Sequence, residues 1–222
     1  MGNWLGFIVE NMKTAIIIGA TGLIGSVLVE QILESSAYSK VVLLLRKPLS
    51  ISHSKLVQEG IDFDNLNASK IMGDDLFCAM GTTLAKAGSK EAQYKIDCTY
   101  PYEIGKIAKA NGVKQYILVS SIGADFSSSN FYLRTKGDLE QKIKSLSFQN
   151  FVSLRPSFLL GDRKEFRLGE KIGVIMAKIL SPLMIGRLKK YRGIEASTVA
   201  KSMQTFANQG LTGVYFVESD KI

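Results

Sequence analysis

Histidine occurs once in 222 residues, at His53. A single imidazole excludes a multi-histidine metal centre and argues against a Ser-His-Asp relay. Cysteine occurs twice, at Cys78 and Cys98. Their spacing fits no metal-ligand pattern and cannot frame a small domain with disulfides, which points to a reducing compartment and a cytoplasmic protein. No run of about 18 uncharged apolar residues occurs, so no helix is expected to span a bilayer. Internal repeats, low-complexity segments and long linkers are missing as well. Residues 1–11 are apolar but short and lack both a basic leader and a small-residue cleavage site, so they read as an extension ahead of a start at Met12. The full chain is 46% hydrophobic and 22% charged, with a formal net charge of +8. Those totals suit one globular domain over residues 12–222 whose partners carry negative charge.

The chain is organised around Met12 to Gly25. Ala15 to Ile18 is a short apolar run that reads as a buried strand, followed by glycines at 19, 22 and 25 and then a helical pattern through Val27, Leu28, Gln31 and Ile32. Strand, glycine turn and helix in that order form the binding element for a dinucleotide pyrophosphate. Gly19 permits the tight turn, Gly22 lets the backbone approach phosphate, and Gly25 lets the helix pack on the strand. The first N–H groups of the helix, which have no intrahelical partner, then face the anion. The spacing is G-x-x-G-x-x-G, a looser form than G-x-G-x-x-G.

Further strands are predicted over Lys40 to Leu45, as a short strand ending near Ile61 to Phe63, and over Leu76 to Met80, Gln115 to Ser120, Phe151 to Leu154 and Val214 to Val217. Helices are predicted over Ser89 to Asn111, with Pro101 in a first turn, over Phe131 to Leu146, over Leu168 to Ile185 and over Ala196 to Asn208. Strands alternating with helices require a parallel sheet with right-handed crossovers and helices on both faces. The fold class is therefore α/β, a Rossmann-type doubly wound parallel sheet, with residues from about 156 to 222 forming a small substrate-side appendage. Arg46 and Lys47 end the second strand, where an acidic residue would bond a ribose 2′-hydroxyl; basic residues there accommodate a 2′-phosphate instead, which favours NADP(H) over NAD(H). Gly81, Thr82 and Thr83 follow a later strand and suit close contact with ribose and phosphate.

Tyr132 and Lys136 are four residues apart in a predicted helix and so share a face. A neighbouring ammonium favours the phenolate and moves a tyrosine toward the range where it can exchange a proton. The helix follows a strand ending in Ser120-Ser121, and a serine there can bond a substrate oxygen. Gly-Ala-Thr-Gly-Leu-Ile-Gly, Ser120-Ser121 and Tyr-x-x-x-Lys together resemble the short-chain dehydrogenase/reductase superfamily in its atypical, extended-like branch. Phe77 to Thr83, Lys86 to Gly88, Ser120 to Asp125, Leu154 to Pro156 and Leu160 to Arg163 are similar to the Tat-interacting-protein group of NADPH-binding oxidoreductase-like proteins.

That resemblance implies a set of roles. Thr21, Gly22, Leu23 and Ile24 hold the pyrophosphate between Gly19 and Gly25, and Arg46 and Lys47 hold the adenosine-ribose phosphate. Asp62 lies near the adenine, with Met80 and Gly81 against ribose. Tyr132 and Lys136 form the catalytic pair, Lys136 also bonding the nicotinamide ribose. Leu159 and Arg167 close the nicotinamide end. Ser121 takes the serine role, with Ser120 as the alternative, because the interval to Tyr132 is shorter than in most extended members. Two functions stay open, an NADPH-dependent reductase of a small apolar carbonyl compound and an NADP(H)-binding regulatory protein with little turnover. The apolar stretch Ile172 to Ile185 reads as core, or as a wall of an apolar substrate pocket with part of its face at a subunit or membrane contact, and a homodimer is among the expected assemblies. The basic run around Arg187, Lys189, Lys190 and Arg192 carries no helix-turn-helix, zinc or stacking-aromatic pattern, so no nucleic-acid partner is expected.

Overall fold

The structure is a computed structural model that describes residues 12–160 and 186–222. The extension 1–11 and the predicted helix Leu168 to Ile185 lie outside the described residues. Seven strands form one sheet: β1 (Lys13–Ile18), β2 (Tyr38–Leu45), β3 (Leu56–Gly60), β4 (Asp75–Cys78), β5 (Gln115–Val119), β6 (Asn150–Arg155) and β9 (Gly213–Glu218). Their order is β3-β2-β1-β4-β5-β6-β9, and each neighbouring pair is parallel. The chain builds outward from β1 to β3, then crosses back to place β4 on the other side of β1. That reversal opens a crevice at the carboxyl ends of β1 and β4, where ligands of open α/β sheets bind.

Because successive strand side chains point to opposite faces, the apolar runs fill two cores at once. Ala15, Ile17, Leu43, Phe77, Ile117 and Val152 pack beneath α1 (Leu23–Glu34) and the late helix Ala196–Asn208. Ile16, Ile18, Leu44, Leu76, Leu118 and Phe151 pack beneath α4 (Tyr100–Ala110) and α5 (Phe131–Ser145). Between β4 and α4 come α2 (Leu84–Ala87) and α3 (Lys90–Tyr94); the late helix is α6. Thr83 and Ser89 start α2 and α3 by accepting the Lys86 and Ala92 N–H groups on their side chains. A second, two-stranded sheet pairs β7 (Leu159–Leu160) with β8 (Ile194–Glu195). Strands of two residues carry no periodicity, and none was expected there.

Two local departures have physical reasons. The short strand expected to end near Ile61 to Phe63 is β3, which stops at Gly60 because the Asp62 carboxylate accepts the Asp64 N–H at 2.9 Å and turns the chain. Pro101 stands in the first turn of α4, as expected, but the chain before it is already helical. Lys95–Thr99 is a widened π turn that joins α3 to α4. Proline donates no hydrogen bond and its ring crowds the preceding turn, so the ladder widens just ahead of it. The wide turn carries Asp97 and Cys98 into the interior.

Two helix glycines test how closely the layers fit. A Cβ on Gly137 of α5 would lie 2.2 Å from the Phe126 backbone nitrogen, which cannot yield. A Cβ on Gly105 of α4 would meet the Ile143 and Tyr116 side chains at 3.0 Å, which can shift. Gly137→Ala should therefore lose about 1–3 kcal/mol in urea denaturation, whereas Gly105→Ala should lose less, because improved helix propensity offsets part of the crowding. Equal losses would show that the loop does not rest on α5 as described.

Candidate functional site

The turn after β1 is set by Gly19. Its φ of +83° lies where side chains are rarely tolerated, and a Cβ would stand 2.5 Å from the Ala79 and Met80 backbones. Backbone thus meets backbone across the crevice. Gly22 N–H closes the turn on the Gly19 carbonyl at 3.0 Å. Gly25, one turn into α1, is pressed against Gly19 itself, since a Cβ there would be 2.1 Å from its carbonyl oxygen. The N-cap Gly22 supplies no side-chain cap, and the first turn of α1 holds no acidic residue. Its leading N–H groups and positive dipole end therefore remain available to an anion.

One cavity collects the residues from separate strands. Gly22, Leu23 and Ile24 line it from α1, Ala79 to Thr82 from the end of β4, Val119, Ser120 and Ser121 from β5, and Pro156, Ser157 and Leu159 beyond β6. Tyr132 and Lys136 of α5 and Asp97 of the π turn complete it. Asn130 caps α5 through its Oδ1, which accepts the Leu133 N–H at 3.1 Å. The serine loop before it is folded tight: Asp125 accepts from the Ser127 N–H and hydroxyl at 2.8 and 2.7 Å, which holds its carboxyl below the usual range. This compaction accommodates the short interval between Ser121 and Tyr132.

Tyr132 is 37% exposed, while Lys136 is 3% exposed and Asp97 fully buried. The Lys136 Nζ lies 5.9 Å from the Tyr132 ring centre and 3.7 Å from Asp97 Oδ2. Burial pulls the Lys136 ammonium down, yet Asp97, Tyr132 and the thiols Cys78 and Cys98 together hold it above the usual lysine value. Burial pushes the Asp97 carboxyl up, with Lys136 and the Thr82 N–H opposing that shift. Ser120 Oγ is buried and has no hydrogen-bond partner among the described residues. Ser121 Oγ instead donates to the Ile122 carbonyl at 3.3 Å.

Of the residues singled out from sequence, Gly22, Leu23, Ile24, Met80, Gly81, Thr82, Ser121, Tyr132, Lys136 and Leu159 share this cavity. Gly19 and Gly25 shape its floor, and Thr21 is exposed in the glycine turn. Arg46, Lys47 and Asp62 are exposed beyond the carboxyl ends of β2 and β3, on the same edge of the sheet but outside the cavity. Arg167 lies outside the described residues. Asp97 was missed. An acidic residue in a helical stretch ordinarily marks the solvent side, so no local signal pointed to it. Among the described residues no cluster of metal-ligating side chains occurs, and no helix is long and apolar enough to cross a membrane.

The family described as NAD(P)H-binding matches residues 19–174. Protein HTATIP2 of Rattus norvegicus is 40% identical over 164 residues, 71% of this chain and 67% of the relative. Protein FMP52, mitochondrial, of Candida albicans is 38% identical over 205 residues, 89% of each. Among solved structures, MoeE5 in complex with UDP-glucose and NAD superposes with a TM-score of 0.69 at 15% identity, covering 91% of this chain and 74% of that one. A short chain dehydrogenase family protein from Francisella tularensis gives 0.63 at 15% identity, covering 93% and 96%. The chain belongs to the NAD(P)H-binding family, and its fold is the Rossmann-like fold of the short-chain dehydrogenase/reductases. The expected cytoplasmic location is overturned by the FMP52 relatives, which are named as mitochondrial. Two buried free thiols record only that no disulfide is required, and they do not distinguish compartments.

Proposed function

We propose that this chain is an NADPH-dependent oxidoreductase that reduces a carbonyl or related group of a small apolar molecule. The observation that carries the reading is that Tyr132 and Lys136 line the same cavity as the N-terminus of α1 and the Met80–Thr82 loop. The cavity fits a dinucleotide on its own geometry. Gly22 and Gly81 present bare backbone to it; a Cβ on Gly22 would crowd the Gly19 oxygen at 3.3 Å, while one on Gly81 would make only an ordinary contact with Lys136 Nζ at 3.4 Å. Thr21 to Ile24 would hold the pyrophosphate, Met80, Gly81 and Thr82 the ribose side, and Leu159 the nicotinamide end. Asp62, exposed past β3, suits the adenine end.

When bound, a reduced nicotinamide would supply the hydride. Tyr132, open to the cavity, gives its hydroxyl proton to the substrate oxygen as charge develops there. Ser120, whose buried hydroxyl has no other partner among the described residues, holds that oxygen by donating a hydrogen bond, a role that suits it better than Ser121. The Lys136 ammonium stabilises the phenolate left behind. Leu23, Ile24, Val119, Pro156 and Leu159 give the cavity apolar walls, which favours an apolar substrate.

Purified protein should oxidise NADPH with at least one member of a panel of aldehydes, ketones and quinones. Tyr132→Phe should lower kcat by about 10²–10⁴-fold with NADPH affinity nearly intact, and Ser120→Ala should cost more turnover than Ser121→Ala. Tight NADPH binding with no oxidation across the panel would overturn the enzyme reading in favour of a cofactor-sensing protein. Arg46 and Lys47, two exposed cations past β2, support a preference for the 2′-phosphate. Charge-assisted bonds of about 1.5–3 kcal/mol mean that Arg46→Asp should cut the NADPH-over-NADH preference by about ten- to a hundredfold; an unchanged ratio in paired titrations would remove Arg46 from cofactor choice. On the names of the FMP52 relatives we place the protein in mitochondria. Subcellular fractionation should recover it there, and recovery elsewhere would refute the placement.

A further inference from the structure

Asp97 is a fully buried carboxylate that the Tyr132–Lys136 chemistry does not use. Its Oδ1 accepts the Thr82 N–H at 2.6 Å, and its Oδ2 faces the Lys136 ammonium at 3.7 Å with no hydrogen-bond partner among the described residues. Thr82 belongs to the loop after β4, and Lys136 to α5. One carboxylate therefore joins the two walls of the cavity. At 3.7 Å it supplies charge to Lys136 without consuming any of the ammonium's hydrogens, which stay free for the cavity. Gln93, also buried, adds a longer contact from its amide to the Thr82 carbonyl at 3.5 Å, so the helical run from α3 grips both sides of Thr82. The widened turn Lys95–Thr99 is what brings Asp97 to this point.

We infer that Asp97 is a positioning residue that fixes the Met80–Thr82 loop against α5 and keeps the buried Lys136 side chain charged. The inference rests on the reading of Lys136 as part of the cofactor site. A buried ammonium without a counter-charge loses its proton readily, because the apolar interior penalises the charged form. The groups facing Lys136 are Asp97 and Cys98 from the π turn, Cys78 from β4 and Tyr132 from its own helix. Of these only Asp97 is negative when the thiols and phenol are protonated.

Two readouts separate this role from simple packing. In protein labelled with carbon-13 lysine and free of cofactor, NMR titration should show Lys136 losing its proton at higher pH than an ordinary lysine. In Asp97→Asn, which keeps the shape and an oxygen for Thr82, it should titrate at lower pH. The lysine's raised value in wild type is supported by the carboxylate, so removing the charge while keeping the burial moves the loss of the proton toward acid. Correspondingly, NADPH affinity of Asp97→Asn should begin to fall at lower pH than that of wild type, as the lysine loses its proton. Asp97→Ala, which also leaves the Thr82 N–H unpaired, should weaken NADPH by about tenfold or more at every pH. Asp97→Asn combined with Lys136→Met should abolish the pH dependence. If Lys136 titrates alike in wild type and Asp97→Asn, the inference is wrong. The NMR arm decides this even should NADPH prove not to be the cofactor, so failure of the functional reading and failure of the inference give different results.

Discussion

The approach of two backbones at the centre of the sheet governs everything above it. Gly19 and the Ala79–Met80 peptide lie closer than any side chain would permit, and Gly25 repeats that closeness between α1 and Gly19. These contacts set where α1 begins, and so where its unpaired N–H groups point. They also bring the β4 loop beside α1, so that one cavity can be lined from both. A substitution at Gly19 would not remove a contact but would push apart the two halves of the crevice.

The second organising constraint is electrostatic. A site that needs a cation beside a tyrosine, out of water, must either leave that cation exposed or provide a buried counter-charge. Lys136 is buried, so the fold supplies Asp97 from a different element. Reaching it requires a helix that does not keep its regular pitch, and the proline at position 101 provides the irregularity. A similar solution appears away from the cavity. Glu140, two per cent exposed, is satisfied by Arg155 at 2.6 Å and Ser153 at 2.7 Å, tying α5 to β6 one turn beyond Lys136. The face of α5 that carries Lys136 and Glu140 is thus tied to its neighbours by buried charge.

Much of this was legible in the sequence because parallel strands covered on both faces must be apolar throughout. Ala15 to Ile18 and Val41 to Leu45 announce themselves as unbroken runs, and the glycines after Ile18 have few other uses. Tyr132 and Lys136 were visible through helical spacing. Asp97 and Glu140 were not, since an acidic residue on a helix ordinarily marks the solvent side, and only tertiary contacts reveal these two as buried. Ser120 and Ser121 are adjacent and chemically identical; only the backbone at the end of β5 decides which hydroxyl is left without a partner. The β7–β8 pair rests on the Phe158 carbonyl meeting the Ile194 N–H at 2.9 Å and on the Ser157 hydroxyl reaching the Arg192 carbonyl, contacts between distant residues that no local pattern encodes.

The packing of α6 on α1 has a consequence for how the molecule is assembled. Gln204 of α6 donates to Gln31 of α1 at 2.9 Å across 173 positions of sequence, and the Ala207 carbonyl receives both Lys13 and Gln115 at the start of β1 and β5. The sheet face that α1 begins to cover therefore stays partly open until α6 packs beside it. Such long-range closure slows folding and leaves an apolar surface open in the meantime. During synthesis the glycine turn can form early, but the platform that holds it rigid is completed only when α6 arrives. The α1 side of the crevice therefore reaches its final packing only once α6 is in place.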